Sequence, residues 1–142
     1  MSYLLDTNVV SEWVSRRPDA NVTRWFAEVD EDRIYLSVIT FAEIRRGIDE
    51  MPTGHRREAL ITWLQNDLPV RFEGRILGVD RAIAEVWGIV MATSRRLGAN
   101  LSTMDAFLAA TSEVHGLSLV TRNTRHFEKL GIPLLNPWGK EH

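Results

Sequence analysis

Short apolar runs alternate with longer stretches of helical spacing along this chain. Tyr3, Leu4 and Leu5 form the first run and predict a short buried strand over 3–5, followed by a helix over 9–14. Pro18 interrupts. Val22, Trp25, Phe26 and Val29 then recur at three- and four-residue intervals, which predicts a helix over 21–29. Residues 34–37 read as a second strand, and helical spacing resumes over 38–48, where Phe41, Ile44 and Ile48 are available for packing. Gly54 precedes a further helix running to residue 67. The stretch RILGVD, 75–80, predicts a third short strand or an extended lead into a helix capped by Asp80. Ile83, Val86, Trp87, Val90, Met91, Ser94 and Leu97 line one face of that helix, and Gly98 stands where a C′ glycine ends it. A helix over 102–115 closes at Gly116. The strand LSLVT, 117–121, a brief helix over 125–129 and a last strand in PLLN complete the pattern. Short apolar strands separated by helices imply the α/β class, with a parallel sheet covered by helices. A chain of 142 residues fits a single domain, 1–142, with a sizeable core.

Open parallel sheets bind ligands outside the carboxyl ends of their strands, so the polar residues at those ends matter most. Asp6 ends the first strand. Glu43 lies six residues past Ser37, within two turns of the same edge. Asp105 falls in the first turn of the 102–115 helix, and Asn123 follows LSLVT by two residues. Each has an ordinary structural explanation. Asp6, with Thr7 and Asn8, could cap a helix. Asp105 could complete a capping box with Ser102. Glu43 could be solvated, although its apolar neighbours suggest partial burial, and Asn123 could cap the short helix after it.

Taken together, the four residues deliver three acids and an amide to one rim. Two unit charges about 4 Å apart repel by roughly 4 kcal/mol at an effective dielectric of 20. Gathered carboxylates therefore call for a cation, and a hard ion such as Mg²⁺ or Mn²⁺ suits an oxygen donor set. Such ions activate water and stabilise phosphoryl charge, the chemistry of phosphodiester hydrolysis. Zinc fits poorly: there is no cysteine, and the four histidines show no ligand-type spacing.

Composition narrows the picture further. With 44% hydrophobic and 25% charged residues, the chain is that of an ordinary soluble protein. It shows no signal peptide and no membrane span, which leads to an expectation of a cytoplasmic protein. A net charge of −2 argues against a protein that coats nucleic acid. Yet fifteen of the seventeen basic residues are arginine, the side chain suited to bidentate phosphate contact. For pairs such as Arg45–Arg46, a solvated helix face with local ion pairs is the simpler explanation. The tryptophans at 13, 25, 63 and 87 sit among apolar neighbours and read as core or interface.

LLDTNVVSEW, SVITFAEIRRGI and LSTMDAFLAATSEVHGLSLVTRNTRHFEKLGIPLLNPW together resemble a PIN domain, and more narrowly the VapC and FitB-like toxins of type II toxin–antitoxin pairs. The resemblance spans residues 3–138. It implies a three-layer α/β/α sandwich with a short-stranded parallel sheet, and a metal-dependent ribonuclease that cuts cellular RNA and arrests translation. It also implies a VapB-like antitoxin, a homodimer, and an assembly with antitoxin on operator DNA. By motif match, Asp6, Glu43 and Asp105 would bind Mg²⁺ or Mn²⁺, with Asn123 at the fourth catalytic position and Thr7 and Asn8 in support. Many relatives carry aspartate where Asn123 stands, so this site has one charge fewer to offer a second ion. Arg122 and Arg125, which flank Asn123, are the expected RNA contacts. Two alternatives compete: a non-catalytic PIN-like domain that binds RNA or a partner, and a phosphoacceptor receiver-like domain. The second needs a lysine near the last strands, and neither Lys129 nor Lys140 ends an apolar strand.

Overall fold

Five strands, all parallel, form one sheet in the order β3-β2-β1-β4-β5: β1 (Tyr3–Leu5), β2 (Ile34–Ser37), β3 (Ile76–Leu77), β4 (Ser118–Val120) and β5 (Leu134–Leu135). The computed structural model describes residues 1–139; Lys140, Glu141 and His142 lie outside the described residues. Strand alternation separates two cores. Tyr3, Leu5, Ile34, Leu36, Val120 and Leu135 point to one side, where Val9, Val10, Val22, Leu64, Leu68 and Phe72 meet them. Leu4, Tyr35, Leu119 and Leu134 point to the other and meet Val90, Ala106, Leu108, Ala109 and Phe127. A sheet buried on both faces explains why its strands read as continuous apolar runs. The three-layer α/β/α expectation holds.

The helices are α1 (Thr7–Val10), α2 (Ala20–Glu28), α3 (Val38–Asp49), α4 (His55–Thr62), α5 (Leu68–Arg71), α6 (Arg81–Arg96), α7 (Thr103–His115) and α8 (Thr124–Phe127). Polar caps start most of the long ones: Asp19 for α2, Ser37 for α3, Asp80 for α6 and Ser102 for α7. Gly98 and Gly116 follow α6 and α7 with φ of 68° and 64°, a backbone region open to glycine.

Three elements differ from the sequence pattern. The helix expected over 9–14 begins earlier, at Thr7, and tightens into a 3₁₀ turn at Ser11–Val14. The winding expected to stop at 67 continues to Arg71 through a π-helical turn at Trp63–Asp67. That wider turn accommodates Pro69, whose ring cannot accept the regular helical geometry behind it. Of RILGVD, only Ile76–Leu77 forms a strand, at the sheet's edge beside β2. Among the described residues, no helix is long and apolar enough to cross a membrane.

Candidate active site

The sheet's carboxyl edge is built around Asp6. Its N–H donates to the Val120 carbonyl at 2.8 Å, carrying the β1–β4 pairing one residue beyond β1. Leu5 lies opposite Val120, so Asp6 falls opposite Thr121. One carboxylate oxygen, Oδ1, accepts the Thr7 N–H at 2.7 Å, so Asp6 caps α1 as its neighbours suggested. The other, Oδ2, accepts the Thr121 hydroxyl at 2.7 Å and the Asn8 amide at 3.4 Å. Capping therefore uses only part of this carboxylate. Asp6 is 5% exposed, and burial is the main cause that pushes its pKa up to about 6. The Thr121 and Thr7 hydrogen bonds oppose that rise, while the charges of Asp105 and Glu43 add to it. Three chain segments thus meet electrostatically at one buried carboxyl.

Glu43 is half-buried on α3, and its Oε1 accepts the Thr7 hydroxyl at 2.6 Å. The Thr7 hydroxyl also lies 3.3 Å from that of Thr40, which is fully buried. Thr7 thereby links α1 to α3 directly under the acid. Asp105 sits in the first turn of α7, where its N–H donates to the Ser102 hydroxyl at 3.1 Å. Its carboxylate faces the side chain of His126 instead of serving as a cap: Nδ1 of His126 is 3.6 Å from Oδ2. Asn123 occupies the N-cap position of α8, yet its side chain makes no capping bond. Its N–H donates to the Thr121 hydroxyl at 3.0 Å. Arg122 and Arg125 are exposed on the same segment, and the Arg122 N–H donates to Asn8 Oδ1 at 3.4 Å.

The charges of Glu43 and Asp105 both reach Asp6, but each of the three acids leans on its own protein partner. Among the described residues, no three Asp, Glu, His or Cys side chains stand as a closed metal-holding group. The donor chemistry nonetheless fits a hard divalent ion: the carboxylates are oxygen donors, and the charge of each neighbour opposes ionisation of Asp6. Thr121, Thr40 and His126 also touch the candidate residues and were not singled out from the sequence. Thr121 left a legible signal, a hydroxyl at the carboxyl end of the LSLVT strand. His126 left none, since its contact with Asp105 depends on α8 packing beside α7.

Arginines away from the rim behave as local ion pairs. Arg45 meets Asp49 at 3.1 Å and Arg46 meets Glu50 at 3.5 Å, each one helical turn away. The tryptophans at 13, 25 and 63 pack against the first core and Trp87 against the second, so they serve the packing role expected of them.

Residues 3–133 match the family model for the PIN domain. The chain is 40% identical to the plasmid stability protein StbB of Pseudomonas syringae pv. tomato, over 95% of this chain and 97% of that protein. It is 36% identical to the VapC ribonuclease Y4jK of Sinorhizobium fredii, over 95% and 96% respectively. Its backbone superposes on a chain of the FitAB complex bound to an IR36 DNA fragment with a TM-score of 0.90 and 31% identity, covering 99% of this chain and 98% of that one. With this fold, this rim of acids and these relatives, the chain belongs to the PIN-domain family, among its VapC and FitB-like toxins.

Proposed function

We propose that this single PIN domain is a metal-dependent ribonuclease toxin that hydrolyses phosphodiester bonds in cytoplasmic RNA and so arrests translation and growth. The observation that carries the reading is Asp6, a buried carboxyl held near pKa 6 partly by the charges of Asp105 and Glu43 from two other segments. In this reading Asp6, Glu43 and Asp105 hold Mg²⁺ or Mn²⁺, and Asn123 adds a neutral amide at the fourth position. The ion, when bound, lowers the pKa of water and offsets charge on the phosphoryl oxygens.

The chain's own residues orient the donors. Thr121 and the Thr7 N–H fix the two Asp6 oxygens, the Thr7 hydroxyl steers Glu43, and Ser102 anchors the turn that carries Asp105. Arg122 and Arg125 engage RNA phosphates next to Asn123. The likeness to a FitAB chain supports an antitoxin partner for this protein, with operator DNA bound by the assembly, and a homodimeric toxin accords with the family.

Cleavage of cellular RNA in Mn²⁺ tests the reading. Asp6→Ala and Asp105→Ala, made separately, abolish cleavage and relieve growth arrest while circular dichroism stays native. EDTA abolishes cleavage by the unaltered protein, and full activity in EDTA overturns the reading. One alternative is a non-catalytic RNA- or partner-binding domain, since no three Asp, Glu, His or Cys side chains among the described residues stand together as a metal-holding group. That protein would bind RNA in Mn²⁺ and leave it intact.

A further inference from the structure

The Arg122 guanidinium lies over the Trp138 indole, with Cζ 5.3 Å from the ring centroid. Trp138 is 5% exposed and belongs to the first core, so it is too covered to stack on a nucleobase. Its backbone is tied twice. Its N–H donates to Asn136 Oδ1 at 2.9 Å, and its carbonyl accepts the Asn21 side-chain amide of α2 at 3.0 Å. The Arg122 backbone N–H donates to Asn8 Oδ1 at 3.4 Å, and the Asn8 amide in turn donates to Asp6 Oδ2 at 3.4 Å, which places Arg122 next to the Asp6 carboxylate in the hydrogen-bond chain. The arginine is nevertheless exposed, and none of the ion pairs among the described residues involves its guanidinium.

Stacking occupies the flat face of a guanidinium and leaves its N–H edge free, the edge that fits a phosphate. An arginine already resting on a ring also has less rotamer freedom to surrender when a ligand binds. We propose that Trp138 is a positioning residue: through its ring, the C-terminal Asn136–Trp138 turn holds Arg122 beside Asp6 as a preset clamp for an RNA phosphate. This role rests on the ribonuclease reading, and the assays below separate the two.

The experiment measures steady-state cleavage of a mixed-sequence single-stranded RNA by the full chain in Mn²⁺. Arg122→Ala and Trp138→Leu each raise KM about fivefold to tenfold, while kcat stays within about twofold of the unaltered protein. Trp138→Phe keeps a π face and recovers most of the lost affinity. In the Arg122→Ala background, Trp138→Leu adds nothing further to KM, because its effect passes through the arginine. Arg122→Ala also reduces the slope of log KM against log salt by about one, whereas Trp138→Leu leaves the charge and the slope in place.

Thermal melts accompany each variant because Trp138 is buried. If Trp138→Leu does not fold, Asn21→Ala cuts the tie from α2, leaves the indole, and raises KM in the same direction by less. Unchanged KM in folded Trp138→Leu, or in Asn21→Ala when that variant stands in, overturns the role. So does a Trp138→Leu effect that persists in the Arg122→Ala background. Unaltered protein that binds the RNA and leaves it intact overturns the ribonuclease reading alone, and the same variant pattern is then read in the RNA dissociation constant; protein that does neither overturns both.

Discussion

Asp6 works against the stability of its own fold. A carboxyl whose pKa rises from 3.8 to about 6 on folding binds its proton more tightly in the native state than in the unfolded one. Below the unfolded value both states are protonated and Asp6 contributes nothing. As pH climbs past 4 toward 6 stability falls, and above 6 the full penalty applies, on the order of 3 kcal/mol. In EDTA, therefore, Asp6→Asn raises the thermal midpoint at pH 7.5 by several degrees, and the gap from the unaltered protein narrows as pH is lowered toward 4. Thermal melts across that pH range check both statements; a lower midpoint for the variant at pH 7.5 contradicts them. The same residue that weakens the fold is the one the proposed chemistry needs, a trade commonly met at functional sites.

Helix starts set the geometry around that carboxyl. Asp6 leads into α1, Ser37 into α3 and Ser102 into α7, so three N-terminal turns present their side chains near one edge. Ser102→Ala removes the acceptor for the Asp105 N–H and costs about 1 kcal/mol of stability. It also loosens the turn that carries Asp105, so half-maximal cleavage requires more Mn²⁺. Ser102→Thr restores both properties. Chemical denaturation and an Mn²⁺ titration of RNA cleavage read them out. The Asp6, Asp80 and Ser102 caps and the amphipathic face of α6 were plain in the sequence because each is a local rule of spacing and hydrogen bonding. The π-helical turn before Pro69 was not, since it depends on Leu64 and Leu68 staying in the first core while the chain makes room for the proline ring.

The two cores on either side of the sheet hold the rim in place. Phe72 is fully buried in the first core, where Trp13 lies 5.4 Å from it and Arg75 sits over its ring at 4.7 Å. Phe72→Ala removes that packing and costs about 3–5 kcal/mol, measured as a lower denaturant midpoint with an unchanged slope. The α/β class and the order of elements could be read from residues alone, and so could the three acids with Asn123 as candidates. Apolar runs, helical spacing and short polar motifs are written in neighbouring positions. Register and packing supplied the rest. The pairing of Leu5 with Val120 sets Thr121 against Asp6, and the return of the C-terminal turn to α2 places Trp138 beneath Arg122. Those contacts join residues more than a hundred positions apart in one case and sixteen in the other, and only the folded chain brings such partners together.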